Sequence, residues 1–248
     1  MADRKRVEAP KFTTPKGTFR FPKLSEIDFG NDDYPKPAGE YSVQLVLALN
    51  DPATQKLIAD LKPHYEQALA NGQTKFSALK AETRKKLKEM KANDLYTEEL
   101  DKETEEPTGN VIFKFTMKAS GEYSKGKKAG KYWDSRPPVF SANKELLIPG
   151  FNFRDREDDE SVQEVHAKGK PNIWGGTVGK VSFEIGVDRE TGEPGYFIPG
   201  TGAAGLKLTL RGVQVIDLVS GGSRTADDYG FDNEEDEPAD TESEGADF

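Results

Sequence analysis

"GLKLTLRGVQVIDLV" (205–219) is the stretch on which the fold turns. Leu206, Leu208 and Leu210 fall two residues apart and so share one face of a strand. Gly212 then offers a bend of the kind that barrel corners require. Upstream, "GTVGKVSFEIGVD" (176–188) sets Val181, Phe183, Ile185 and Val187 in phase and Val178 out of phase. That slip at Gly179–Lys180 reads as a bulge. "NVIFKFTMKAS" (110–120) alternates Val111, Phe113, Phe115 and Met117 with Lys114, Thr116 and Lys118. "GEYSVQLVLAL" (39–49) points Tyr41, Val43, Leu45, Leu47 and Leu49 one way. "KYWDSRPPVFSA" (131–142) reads as an interrupted strand, and "TFRFPKL" (18–24) as a short one with Phe19 and Phe21 on one face. Residues 1–17, with Pro10 and Pro15, read as a mobile arm or an edge segment.

A helical block separates these strands. Asp51 can cap, Pro52 suits the first helical position, and Leu57, Ile58, Leu61, Tyr65 and Leu69 recur at spacings of three and four. Pro63 is expected to kink or split this helix. "SALKAETRKKLKEMKAND" (77–94) predicts a second, solvent-facing helix, and 101–109 an acidic loop. The pattern predicts a mainly β chain: a five-stranded OB-fold-like barrel with a helical insertion, about 52–94, after the first long strand. A β-sandwich is the rival. The barrel domain is expected over 1–222 and a disordered acidic tail over 223–248.

Composition narrows the chemistry. The chain has 248 residues, 34% hydrophobic, enough for one good-sized core or two small ones. No run of 18 apolar residues occurs, and the charged N-terminus leads into no apolar stretch, so neither a membrane span nor a secretory signal is expected. Cysteine is absent, which excludes disulfides, thiolate metal sites and cysteine nucleophiles. His64 and His166 are the only histidines, a poor supply for a catalytic triad or a zinc site. A cytoplasmic protein fits these features. The net charge of −9 is unevenly spread. Eleven of the 44 acids fall in 225–248 beside no Lys or Arg, so 1–224 holds 33 acids against all 35 basic residues. A near-neutral, slightly basic body carries an anionic arm.

The segment most able to carry chemistry is "KASGEYSKGKKAGKYWDSR" (118–136). It interleaves Lys118, Lys125, Lys127, Lys128, Lys131 and Arg136 with Tyr123, Tyr132 and Trp133. Single-stranded nucleic acid needs this mixture: cations follow phosphates, and flat rings accept bases by stacking. The bland alternative is a solvated hairpin with its rings tucked into the core. "VHAKGKPNIWGGTVGK" (165–180) adds Lys180 and Trp174, a stacking platform or a core residue. Lys114 and Lys118 share the face opposite Phe113 and Phe115, where a groove could lie.

Other motifs are weaker. "GTGAAG" (200–205) matches G-x-G-x-x-G, but Pro199 precedes it and a strand follows, so an inter-strand loop is the better reading. "RDREDDES" (154–161) lacks the spacing of a calcium loop. No cofactor or metal is expected. The tail's acids, Asp236, Glu237, Asp240, Glu242, Glu244 and Asp247 among them, could occupy the basic body and compete with phosphates. Its terminal Phe248 could then anchor a partner, or it could end a merely solubilising tail.

The layout resembles the single-stranded-DNA-binding proteins of phage replication systems. The resemblance is carried by "DFGNDDYPKPAGEYSVQLVLALNDPATQKLIADL", by "IWGGTVGKVSFEIGVD" through "GLKLTLRGVQVIDL", and by the acidic end "GADF". It implies sequence-independent binding and protection of single-stranded DNA in replication, recombination and repair, without catalysis. It implies a tail that weakens DNA binding and contacts the replicative DNA polymerase and helicase–primase, and a possible homodimer. On this reading Lys114, Lys118, Lys125, Lys127, Lys128, Lys131, Arg136 and Lys180 contact phosphates, and Tyr123, Tyr132, Trp133 and Trp174 stack on bases. The rivals are a carbohydrate-active β-barrel enzyme with paired carboxylates and an acidic-tailed chaperone for basic proteins.

Overall fold

Alternating burial turns the apolar residues of five strands into one core. In the computed structural model, which describes residues 8–124, 126–156, 171–188 and 191–219, Phe19, Leu45, Phe113, Phe115, Phe183 and Leu210 are all fully buried in a single cluster. Each such side chain contributes roughly 1.5–3 kcal/mol by leaving water. A short β1 (Lys11–Thr13) precedes two long strands, β2 (Gly17–Gly30) and β3 (Pro35–Ala48). Helices α1 (Pro52–Ser77) and α2 (Ala81–Leu87) follow, then β4 (Lys91–Ala92), β5 (Thr97–Leu100) and β6 (Pro107–Lys118). The chain continues through β7 (Ser120–Glu122), β8 (Tyr132–Arg136), β9 (Val139–Phe140), β10 (Leu146–Ile148) and β11 (Phe151–Arg156). Strands β12 (Val178–Ile185), β13 (Tyr196–Ile198), β14 (Ala203–Gly205) and β15 (Leu208–Asp217) are the last elements among the described residues.

The barrel is β2-β3-β6-β15-β12, closed back onto β2. β2, β3 and β6 form an antiparallel meander. β6 meets β15 in parallel at Thr116 and Thr209, β15 runs antiparallel to β12, and β12 rejoins β2 at Val178–Thr18 and Gly179–Gly17. This is the strand order of an OB-fold, as expected; the sandwich alternative falls because the sheet closes on itself. Among the described residues no helix is long and apolar enough to cross a membrane.

Several local expectations change. The segment 18–24 is part of a 14-residue strand, so the helical block follows the second barrel strand rather than the first. Phe19 and Phe21 do not share a face. The register of β2 against β3 shifts between Arg20 and Lys23, and Phe21 is thrown outward, 66% exposed, at φ 47. A bulky residue in that left-handed region costs of order 1–3 kcal/mol. α1 begins as predicted, with Asp51 accepting from the Thr54 N–H at 3.1 Å. It runs unbroken through Pro63, because Pro63 and Ala59, whose carbonyl loses its partner, both lie on the exposed side where water can serve. The second helix covers only 81–87 and buries nothing, while Lys91–Ala92 pair with β14 instead. "GTGAAG" spans the end of the β13–β14 turn and the whole of β14.

The slip near Gly179 is real, but the extra residue sits across the ladder. Val178 pairs with Asp217 and Gly179 with Val215, which leaves Ile216 unmatched on β15. A second extra residue, Arg211, precedes Gly212, where Leu210 and Val213 both remain buried. Gly179 itself points inward. A Cβ there would lie 2.4 Å from the Phe19 ring and 2.4 Å from the Gln214 carbonyl oxygen.

Gly179→Ala is therefore expected to lower stability by about 1–3 kcal/mol through overpacking. Gly175→Ala, whose Cβ would meet nothing closer than 3.9 Å, serves as the control. Urea denaturation that leaves both variants with the wild-type midpoint would show that this close approach does not govern closure.

Candidate nucleic-acid interface

The outward positions of the barrel strands are polar because the inward ones are apolar. On β6, Lys114 faces out opposite Gln44, and Lys118 lies four residues further along the same face. On β15, Thr209 between the buried Leu208 and Leu210, and Arg211 just after them, face out, and Lys207 precedes them in the same phase. On β12, Lys180 stands beside Gln214. Beyond Lys118 the chain turns into a second, small sheet of β7, β8 and β11. That sheet and the barrel enclose a groove of about 610 Å³. Among the described residues, its walls carry four cations, Lys11, Lys118, Lys207 and Arg211, against two carboxylates, Glu8 and Glu184, and the rings of Trp133 and Phe153.

Each ring is held. Trp133 pairs across the small sheet with Gly121 and packs edge-on against Phe153 at 4.7 Å. Gly121 is required there, since a Cβ would come within 2.5 Å of the indole. Phe153 is fixed by its own backbone N–H, which donates to the Ser135 hydroxyl at 2.8 Å. Beneath lies Asp134, fully buried, which accepts two bonds from the Arg154 guanidinium at 2.7 and 3.2 Å. Such a bidentate pair fixes the β8–β11 register as well as neutralising the carboxylate.

The cations differ in availability. Burial holds the Lys207 ammonium below the usual lysine range; Glu40 opposes the shift and Lys118 adds to it. Arg211 pairs with Glu184 at 3.3 Å, and with the Asn152 amide correctly oriented it also donates to the Asn152 carbonyl at 2.9 Å. Arg211 also lines a smaller depression of about 240 Å³ with Lys180, Phe140 and Gln214, so the groove continues along β12.

The structure sorts the residues expected from the sequence. Lys118 and Trp133 line the main groove. Lys180 lies along its continuation, and Lys114 on the adjoining face of β6. Lys127 and Lys131 are exposed at the β7–β8 hairpin tip. Tyr132 is 44% exposed, with the Arg156 guanidinium 5.7 Å from its ring. Tyr123 and Lys128 are tied to one carboxylate: Asp155 accepts from the Tyr123 hydroxyl at 3.0 Å and from Lys128 at 2.6 Å. Those bonds, Lys128 first, hold the Asp155 carboxyl below the usual range. Arg136 departs from the phosphate role expected of it. It is buried and donates to the Pro149 carbonyl at 2.6 Å, because two prolines turn the chain inward behind it. Trp174 is 50% exposed rather than core, but it lines a different groove from Trp133. Lys125 and the tail residues Asp236, Glu237, Asp240, Glu242, Glu244, Asp247 and Phe248 lie outside the described residues, as does most of the acidic loop 154–161.

Sequence reasoning missed Lys11, Lys207, Arg211 and Phe153. Lys207 and Arg211 had a usable signal, since they alternate with the leucines of 205–219 as Lys114 and Lys118 do with the phenylalanines of 110–120. Lys11 and Phe153 had none, because only tertiary pairing brings them here.

Residues 18–135 match the family model described as "Single-stranded DNA-binding protein, Bacteriophage T7". The resemblance seen in the sequence is thus borne out over that stretch. Among solved structures, the chain is similar to gp2.5, a single-stranded DNA binding protein encoded by bacteriophage T7. The identity is 21%, over 86% of this chain and 95% of that one, with a TM-score of 0.57. At that identity the likeness speaks for the fold. The single-stranded DNA-binding protein from bacteriophage Enc34, as a C-terminal truncation, aligns at 15% identity over 84% of this chain and 85% of that one, TM-score 0.43. No curated protein matches the sequence.

Gly121→Val is expected to displace the indole from Phe153 while the barrel stays folded. In a Trp174→Phe background, the emission and near-ultraviolet dichroism of Trp133 should change and the barrel's far-ultraviolet signal should not. An unchanged Trp133 signal would mean that Gly121 does not seat the ring.

Proposed function

We propose that this chain, matched over residues 18–135 to the phage T7 single-stranded-DNA-binding family, binds single-stranded DNA without sequence preference and without catalysis. The observation that carries the reading is the groove in which Trp133 and Phe153 stand among Lys11, Lys118, Lys207 and Arg211. Rings there give bases a surface that every base can use, and the ammonium and guanidinium groups take the phosphates. Arg211 is already balanced by Glu184, so a phosphate entering the groove exchanges one anion for another. At Lys207 a phosphate favours the charged form that burial disfavours. Lys114, Lys118, Lys180, Lys127, Lys131 and Lys125 extend the cationic track, with Tyr132 and Trp174 as further stacking surfaces. Lys128 and Tyr123 join once Asp155 releases them. Arg136 supports the groove wall from within.

The domain is proposed to span 1–222. The acidic segment 223–248 is proposed to compete with DNA for the cations and, once displaced, to present Phe248 to the replicative polymerase and helicase–primase. This division of labour suits phage replication, recombination and repair in the host cytoplasm, with a homodimer as a possible assembly. The support is the charge distribution: 35 basic residues lie before position 225 and none after it.

Oligo-dT titration tests the proposal. Lys118→Ala, Lys207→Ala and Arg211→Ala are each expected to weaken binding and to lower the salt slope by about 0.7 for each phosphate left without its cation. Deleting 225–248 is expected to tighten binding at low salt and to abolish polymerase recruitment; equal affinity with and without the tail would refute the competition. Affinity should also fall as pH rises through the lowered Lys207 value, before the ordinary lysines titrate. Lys207→Arg, which stays charged, should flatten that part of the profile.

A further inference from the structure

Phe21 combines three features that core packing does not explain. It is the most exposed phenylalanine among the described residues, at 66%. It occupies the left-handed region at φ 47, where glycine would be at ease. It also sits where β2 shifts register, followed by Pro22, so the strand departs from the ladder and throws the ring outward. The Arg20 guanidinium stands 5.2 Å from the ring centroid and pairs with Glu99 at 3.3 Å, which props the phenyl group from one direction.

The other half of the site is Trp174. Its backbone N–H donates to the Val219 carbonyl at 2.9 Å, and Gly176 N–H donates to the Phe19 carbonyl at 2.9 Å. These bonds fasten the 174–176 turn beside the bulged end of β2. The indole is 50% exposed, and it lines with Phe21 a groove of about 430 Å³. Lys23 and Asn172 lie on the same walls. Among the described residues the groove therefore offers two rings, one ammonium, one amide that can both donate and accept, and one carboxylate, Glu26, beside the ammonium.

Its position follows from the ladder. Glu184 and Ile185, at the end of β12, line the groove of Trp133. Lys180 lies midway, in the depression that shares Arg211 with that groove. Val178 begins β12 and pairs with Thr18, three residues before Phe21. The two aromatic grooves thus lie towards opposite ends of one strand, with a cation between them.

We infer that Phe21 and Trp174 form a second base-holding station, in which an unpaired base of the DNA strand lodges at the two rings. Lys23 meets its phosphate and Asn172 its polar edge, while the strand runs along β12 past Lys180 from the station of Trp133. This rests on the proposed DNA binding and deepens it: it gives the strand a path, and it assigns Phe21, Lys23 and Asn172. The backbone departure at Phe21 serves to display the ring.

The test uses the full chain and oligo-dT of two lengths, one short and one long enough to span β12. Phe21→Gly removes the ring and suits the local φ, so the variant should melt no lower than the wild type. It should bind the long oligonucleotide about tenfold more weakly, within the range expected for removing one stacked ring. In a Trp133→Phe background, Trp174 emission should be quenched by the long oligonucleotide and less so once Phe21 is replaced. Unchanged affinity of a folded Phe21→Gly for the long oligonucleotide overturns the station, provided that the wild type binds and Lys207→Ala weakens it. If the wild type itself ignores oligo-dT, the proposed function fails and the station with it. Trp174 emission that responds to tail deletion but not to DNA would make the tail the occupant, and that too overturns the inference.

Discussion

Barrel closure rests on one strand with two obligations. β12 must pair with β15 along its length and still reach β2 at Val178 and Gly179. Both can be met only where β12 passes close over the Phe19 ring, and a position without a side chain makes that approach possible. The mismatch in residue count between β12 and β15 is absorbed on β15, at Arg211 and Ile216, rather than in β12 itself. Bulges of this kind raise local twist and re-aim side chains. Here one of them presents Arg211 to both the main groove and its continuation. Closure and cationic lining are thus consequences of the same register.

Restraint of charge is the second theme. Several cations near the groove already have a protein anion: Arg211 has Glu184, Lys128 has Asp155, and Arg154 has Asp134. Exposed pairs of this sort contribute little to stability. Their value lies in keeping mutually repelling cations together in the unoccupied protein. The Asp134 pair differs, because its carboxylate is buried and doubly bonded, and it belongs to the architecture of the small sheet.

Much of this was legible in the sequence because period-two burial writes itself into composition. Tyr41, Val43, Leu45 and Leu47 on β3, and Val111, Phe113, Phe115 and Met117 on β6, are buried as their spacing predicts. Asp51 and Pro52 marked the helix start correctly. What failed to show was decided by tertiary context. Pro63 is tolerated because it and Ala59 lie on the exposed side of α1, and Phe21 escapes its face because β2 shifts register. The second helix stops at Leu87, and Lys91–Ala92 pair with β14 instead. At the site, a basic aromatic loop pointed to Trp133 and Lys118. The groove's other wall comes from residues far away in sequence, Lys11, Lys207 and Arg211, which no single window brings together.

The parallel pairing between β6 and β15 carries a cost during synthesis. Thr116 meets Thr209 only after the intervening chain has been made, so the Thr116 end of β6 lacks its β15 partner throughout that interval, while β5 can already pair with residues 107–112. Pairings this distant in sequence slow folding, since a long loop must close before they form. The nascent chain passes through a stage in which a half-built meander, rich in phenylalanine, is open to self-association.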